Sequence, residues 1–133
     1  VNAVSQTVDI TTSGLGGLDT GTEAVSTWYY FFVIYNSSTL TVGGLLSLST
    51  TTPTLPAGYD FYRVLGAVRN GSDGNFIAFF QAGDQVSVIP QLVLDNVAGQ
   101  NSYTSVSLTT FVPPSAVGAK GIIGDTNDAD SFQ

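Results

Sequence analysis

Apolar residues gather in one uninterrupted block, Trp28-Tyr29-Tyr30-Phe31-Phe32-Val33-Ile34-Tyr35, entered through Ser26-Thr27 and closed by Asn36-Ser37-Ser38. The block carries the single Trp of the chain. It is shorter than the roughly 20 apolar residues a membrane-spanning helix needs. Its aromatic and β-branched content favours a strand over a helix. The pattern predicts a central strand, buried on both faces or nearly so. Aromatic side chains bury on the order of 150–250 Å² each, so this element is expected to anchor the core, with Ser26–Asn75 as the organising stretch.

Weaker alternation surrounds it. Val4, Gln6, Val8 and Ile10 in Ala3–Thr12 read as a first strand, and the glycine-rich 13–21 as a flexible connection. Thr39–Val42 is expected to pair briefly before Gly43-Gly44, and Leu45–Ser49 to form another short strand. Thr50–Gly58 holds Pro53 and Pro56, which cannot donate to a ladder, and is expected to be a loop. Tyr59–Arg69 is the next strand. Asn70-Gly71-Ser72-Asp73-Gly74 predicts a tight hairpin turn, with Asn75–Gln81 as the returning partner. Gly83-Asp84 turns again into Gln85–Leu94, bent at Pro90. Tyr103–Phe111 alternates like a half-exposed strand, and Val117–Ile123 is read as a last one.

No window of amphipathic helical length appears. The expected fold is all-β: an antiparallel β-sandwich of about eight strands with jelly-roll order. One domain is expected over 1–124, with 125–133 as a polar, acidic tail or linker. Val1-Asn2-Ala3-Val4 lacks the basic and apolar regions of a signal peptide. The absent initiator Met leads us to expect processing, or a piece of a longer chain.

Composition narrows the chemistry. The 133 residues include no Cys and no His, which removes disulfides, Ser-His and Cys-His nucleophile systems and the usual zinc ligands. Only Arg63, Arg69 and Lys120 are basic, against ten acidic residues, for a formal charge of −7. Phosphate backbones are held by clustered Lys and Arg, so neither nucleic acid nor an anionic membrane is an expected partner. Only 10% of residues are charged, which suits a domain that sits among other subunits.

Four motifs invite sharper readings. Leu18-Asp19-Thr20-Gly21 matches the apolar-Asp-Thr-Gly signature of aspartic proteases, whose paired carboxylates share a proton. Ile122-Ile123-Gly124 superficially resembles their C-terminal segment, but about a hundred residues separate the two, and the aromatic strand stands where a glycine flap is required. The plainer reading, a turn in which Asp19 caps its own backbone, is preferred; a retroviral-type protease remains the remote alternative. Asp125-Thr126-Asn127-Asp128-Ala129-Asp130 fails the calcium-loop pattern at Ala129 and lacks its glycine and closing Glu. Asn36-Ser37-Ser38 and Asn70-Gly71-Ser72 fit the glycosylation sequon but are also ordinary turns. Gly14-Leu15-Gly16-Gly17 lacks dinucleotide spacing. No catalytic, metal or cofactor-binding residue is assigned, and the chain is expected not to be an enzyme. Arg63 and Arg69 are expected on one face of their strand, placed either to meet a neighbouring subunit or on open surface. Tyr29, Tyr30, Tyr35, Tyr59, Tyr62 and Tyr103 are expected mostly in the core or at subunit contacts, with a sugar-stacking platform as the alternative.

One series of segments resembles a family of tailed-bacteriophage and prophage virion proteins found in tail fibres, tail tips and head decorations. It comprises Asp19-Thr20-Gly21, Thr27-Trp28-Tyr29-Tyr30, Val33-Ile34-Tyr35-Asn36, Pro53-Thr54-Leu55-Pro56-Ala57-Gly58-Tyr59, Arg63-Val64-Leu65-Gly66-Ala67-Val68-Arg69 and Asp73-Gly74-Asn75-Phe76. The loop through Tyr59 and the strand ending at Arg69 are its most specific parts. The resemblance covers Gly17 to Gln81, and less specifically Val106-Ser107-Leu108 to Val112-Pro113-Pro114. It implies a non-enzymatic structural component of a virion, partnered by other capsid or tail proteins and by copies of itself. Three-fold assembly is the expectation, because phage fibres and spikes are commonly trimeric. A receptor- or carbohydrate-binding tip that meets a host-surface glycan is the alternative function.

Overall fold

A computed structural model of the chain describes residues 5–89, 92–93 and 105–121. Among these there is no helix, and five strands form two antiparallel sheets: β1 (Trp28–Asn36), β2 (Thr41–Ser47), β3 (Phe61–Arg69), β4 (Phe79–Ala82) and β5 (Gln85–Val88). The aromatic block becomes β1 and lies in the middle of a three-stranded sheet, order β2-β1-β3. Side chains alternate across a strand, and β1 fills a core on each side. Tyr30, Phe32 and Ile34 pack with Leu45, and with Leu55, Tyr59 and Ala67 at its margin. Tyr29 packs on the opposite face with Leu46, Val68, Ile10 and Leu18. Burial on both faces is therefore as the apolar run predicts.

Asn36 turns the chain from β1 to β2, its Oδ1 accepting the N–H groups of Ser38 and Thr39, each at 3.0 Å. Gly43 and Gly44 do not interrupt β2, as the sequence suggested; they pair with Ile34 and Val33. Their missing side chains leave room for Leu15 beside Gly43 and Val8 beside Gly44.

Residues 13–19 are not a free connection either. They lie along the outer edge of β2, with Gly16 N–H donating to Gly44 O (3.0 Å), Leu46 N–H to Gly17 O (2.8 Å) and Asp19 N–H to Leu46 O (2.8 Å). Gly17 is required there because a Cβ would collide with the Thr12 carbonyl. Upstream, the described part of Ala3–Thr12 forms no strand; Asp9 closes a turn by accepting the Thr11 and Thr12 N–H groups.

The two-proline loop folds back over the Tyr30-side core, where Pro53 is buried and Leu55 and Tyr59 contribute to the cluster. Gly58, at φ 86°, turns it into β3. β3 carries one extra residue, Leu65, between the pairs Phe31–Gly66 and Phe32–Val64. The Gln81 side chain holds this bulge by donating to Leu65 O (2.7 Å) and Gly83 O (3.0 Å).

Beyond β3 the Asn70–Gly74 turn forms, with Gly71 N–H on Asn75 O at 2.7 Å. Its return arm meets β3 through the Asn70–Phe76 bridge, through Ile77 N–H on Arg69 O and through the Gln81 side chain on Leu65 O, without a continuous ladder. β4 then pairs with β5 instead of β3. Residues 105–121 contain no strand despite the alternation over 105–111; Phe111 and Val112 N–H groups instead close a turn on Leu108 O. Pro90, Tyr103, Ile122, Ile123 and the 125–133 tail lie outside the described residues.

Candidate interaction surface

Asp19 shows what the Asp-Thr-Gly motif does in this fold. One carboxylate oxygen accepts the Thr20 N–H (2.7 Å), and the other accepts the Thr54 N–H (2.8 Å). One oxygen therefore caps the local turn, as expected, while the other ties the β2 cover to the proline loop.

The bulge changes the placement of the arginines. One extra residue moves everything beyond it to the other face of the sheet. Arg63 pairs with Val33, and Arg69 with Trp28. The two therefore lie on opposite faces, not on one face as the uninterrupted strand predicted. Gly66, a glycine inside a strand pattern, was the available signal for the bulge.

Arg69 and Trp28 form the entrance to a cleft of about 190 Å³ between the end of the sheet and the β4–β5 hairpin, floored by Ile77, Phe79, Val86 and Val88. The Arg69 guanidinium lies 5.9 Å from the Trp28 ring centre. Residues 109–110 are fastened at its mouth: the indole N–H donates to Thr109 O at 3.3 Å, and the guanidinium donates to Thr110 O. Trp28 is thus a half-exposed anchor for a later segment rather than a core residue.

The remaining candidates separate by burial. Tyr29 and Tyr30 are buried, Tyr35 and Tyr59 half-buried, and Tyr62 is the exposed tyrosine among the described residues. No row of exposed tyrosines is present there. Asn70 is fully buried, with its amide donating to Glu23 Oε1 (2.9 Å) and Ala24 O (3.0 Å), so that sequon is closed to modification in the folded chain. No group of three or more acidic, His or Cys side chains suited to a metal ion occurs among the described residues.

Exposed apolar side chains are spread along the described residues, and β3 and the hairpin each carry a group of them. Phe61, Tyr62, Val64 and Leu65 of β3 and Phe79, Phe80, Val86 and Val88 of the hairpin all stand open, Phe80 at 70%. A single two-stranded hairpin is marginal in water, and a run of apolar side chains on an edge strand is a template for another chain. Three turns carry carboxylates held below their ordinary range, chiefly by a side-chain hydrogen bond: Asp9, beside the β2 cover, from Thr11; Asp60 from Ser37; and Asp73 from Asn75. In comparison with known proteins, no family model, no curated protein and no solved structure matches this chain.

Proposed function

We propose that this chain is a non-enzymatic structural component of a bacteriophage virion, a capsid-decoration or tail-fibre module that works by subunit assembly. The observation that carries the reading is the apolar surface on β3 and the β4–β5 hairpin, which is suited to burial against neighbouring subunits. The residue pattern that resembles virion proteins supports it, since its two most specific parts are the loop that covers the core and the strand that carries the exposed edge. Low charge and the acidic balance support protein partners over nucleic acid or membrane.

In this reading the three-stranded sheet and the hairpin are parts of one antiparallel sandwich of about eight strands with jelly-roll order, spanning 1–124, with 125–133 as a tail. The partners are other capsid or tail proteins and further copies of the chain, with three-fold symmetry following from the resemblance.

Immunogold labelling of purified particles tests it. Gold over the head is expected for a decoration protein and gold at the tail end for a fibre module. Absence of the protein from particles, by labelling and by mass spectrometry, would remove the proposal.

A further inference from the structure

We propose that two copies of this chain join through the open edge of β3, antiparallel about a two-fold axis at Tyr62, so that their three-stranded sheets become continuous. The inference goes beyond the virion reading and stands on the sheet alone.

The two edges of that sheet are not equivalent. The edge of β2 is closed over Gly44–Leu46 by residues 16–19 through backbone hydrogen bonds. The edge of β3 is engaged only toward its end, where Arg69 O accepts from Ile77 and Leu65 O accepts from Gln81. Among the described residues no strand lies along Phe61–Val64 on that side. Open edges take up added strands. With the β2 edge closed, a head-to-tail joining of these sheets lacks an acceptor. The edge pairing left to two copies is β3 with β3, an isologous contact that closes on itself.

Charge selects the register. Directly opposed residues in an antiparallel pair share a face, so the two-fold axis falls on a residue. At Tyr62 the axis sets the two Tyr62 side chains together and places each Phe61 opposite the partner's Arg63. Arg63 is exposed, with no hydrogen-bond or ion-pair partner among the described residues. It is free to lie against that ring, an attractive arrangement for a cation. An axis at Arg63 would oppose two like charges, which is unfavourable.

The ends of the free edge limit the other registers. Beyond Val64 stands the bulge, its carbonyl already taken by Gln81. Before Phe61, the Asp60 N–H is bonded to Tyr35 O and its carboxylate to Ser37, where the chain turns away at Gly58. The pairing would cover Phe61, which is 59% exposed, together with Tyr62 and Val64.

The absence of Cys lets introduced thiols report without background. Opposed Cα atoms lie about 4.5–5.5 Å apart, within reach of a disulfide. A residue one step off the axis is about 8 Å from its copy, which is too far. Under mild oxidation Tyr62→Cys is expected to give a covalent dimer on a non-reducing gel, and Arg63→Cys to remain monomeric. The unsubstituted chain is expected to sediment toward twice the monomer mass as its concentration rises. Arg63→Glu, at an exposed and unpartnered position, is expected to shift that equilibrium toward monomer with the circular dichroism spectrum unchanged. This keeps the test separate from any unfolding caused by loss of Tyr62. An unsubstituted chain that stays monomeric at every concentration overturns the pairing, as does a trimer without the Tyr62→Cys cross-link. Cross-linking of Arg63→Cys as readily as Tyr62→Cys overturns it too. These results do not depend on where the protein sits in a particle, so this inference and the virion reading can fail independently.

Discussion

At the scale of single residues, position on the strand matters more than side-chain size. Trp28 is the largest side chain of the aromatic block, but it begins β1 and lies half-exposed over Arg69. Phe32 and Ile34, in the middle of β1, are completely buried. Phe32→Ala is therefore expected to cost about 3–5 kcal/mol, and Trp28→Ala clearly less. Denaturant unfolding of the two variants checks this; equal losses would contradict the placement of Trp28. Leu40 illustrates the opposite situation, a branched side chain at φ 59° that is 72% exposed. The left-handed conformation costs a non-glycine residue roughly 1–2 kcal/mol, and little packing offsets it here. Leu40→Gly is expected to raise the melting temperature, and a lower one would show that Leu40 packs in solution.

The pH response also belongs to individual residues. Asp9, Asp60 and Asp73 are held below the ordinary carboxylate range, chiefly by hydrogen bonds from Thr11, Ser37 and Asn75 respectively. A depressed folded-state pKa stabilises the fold above the ordinary carboxylate range, and that contribution is lost as pH falls through the depressed value. With no His in the chain, no side chain has an ordinary pKa between pH 5 and 8. Stability is expected to stay nearly level from neutral pH down to about 4 and to decline below it. Ser37→Ala is expected to flatten part of that decline, as followed by urea unfolding at a series of pH values.

At the scale of elements, the glycine-rich 13–19 segment departs furthest from its sequence reading. Glycine usually marks freedom of the backbone, but here the missing side chains permit close approach: Gly17 lies against the Thr12 carbonyl, while Gly43 and Gly44 admit Leu15 and Val8. The segment is a packed cover for the β2 edge, with Leu18 only 2% exposed. Gly17→Ala is expected to destabilise by about 1–3 kcal/mol through overpacking. Hydrogen exchange at Leu46, whose N–H is bonded to Gly17 O, should accelerate in the variant. Unchanged exchange and stability would mean that the cover is loose.

At the scale of the whole molecule, the proposed edge pairing takes its direction from the asymmetry between the β2 edge, covered by residues 16–19, and the open Phe61–Val64 edge of β3. Among the described residues, β3 and the β4–β5 hairpin each carry four exposed large apolar side chains, Phe61, Tyr62, Val64 and Leu65 on the first and Phe79, Phe80, Val86 and Val88 on the second. Particle labelling tests the virion reading, and thiol cross-linking tests the edge pairing.

The sequence by itself determined the all-β class, the position of β1, the proline loop and the turns at Asn36, Asn70–Gly74 and Gly83. Each follows from local chemistry: aromatic and β-branched runs, residues that tolerate positive φ, and missing N–H donors. It also bounded the chemistry of the surface, because absent His and Cys and scarce basic residues are properties of composition. Tertiary structure alone decided that Gly43-Gly44 continue a strand and that Asp19 fastens two loops together. It decided, too, that Leu65 bulges and so sends Arg63 and Arg69 to opposite faces. Those outcomes depend on which segments meet across the fold. Alternation along the chain reports the face a residue prefers, but pairing partners and register are set by contacts between residues distant in sequence.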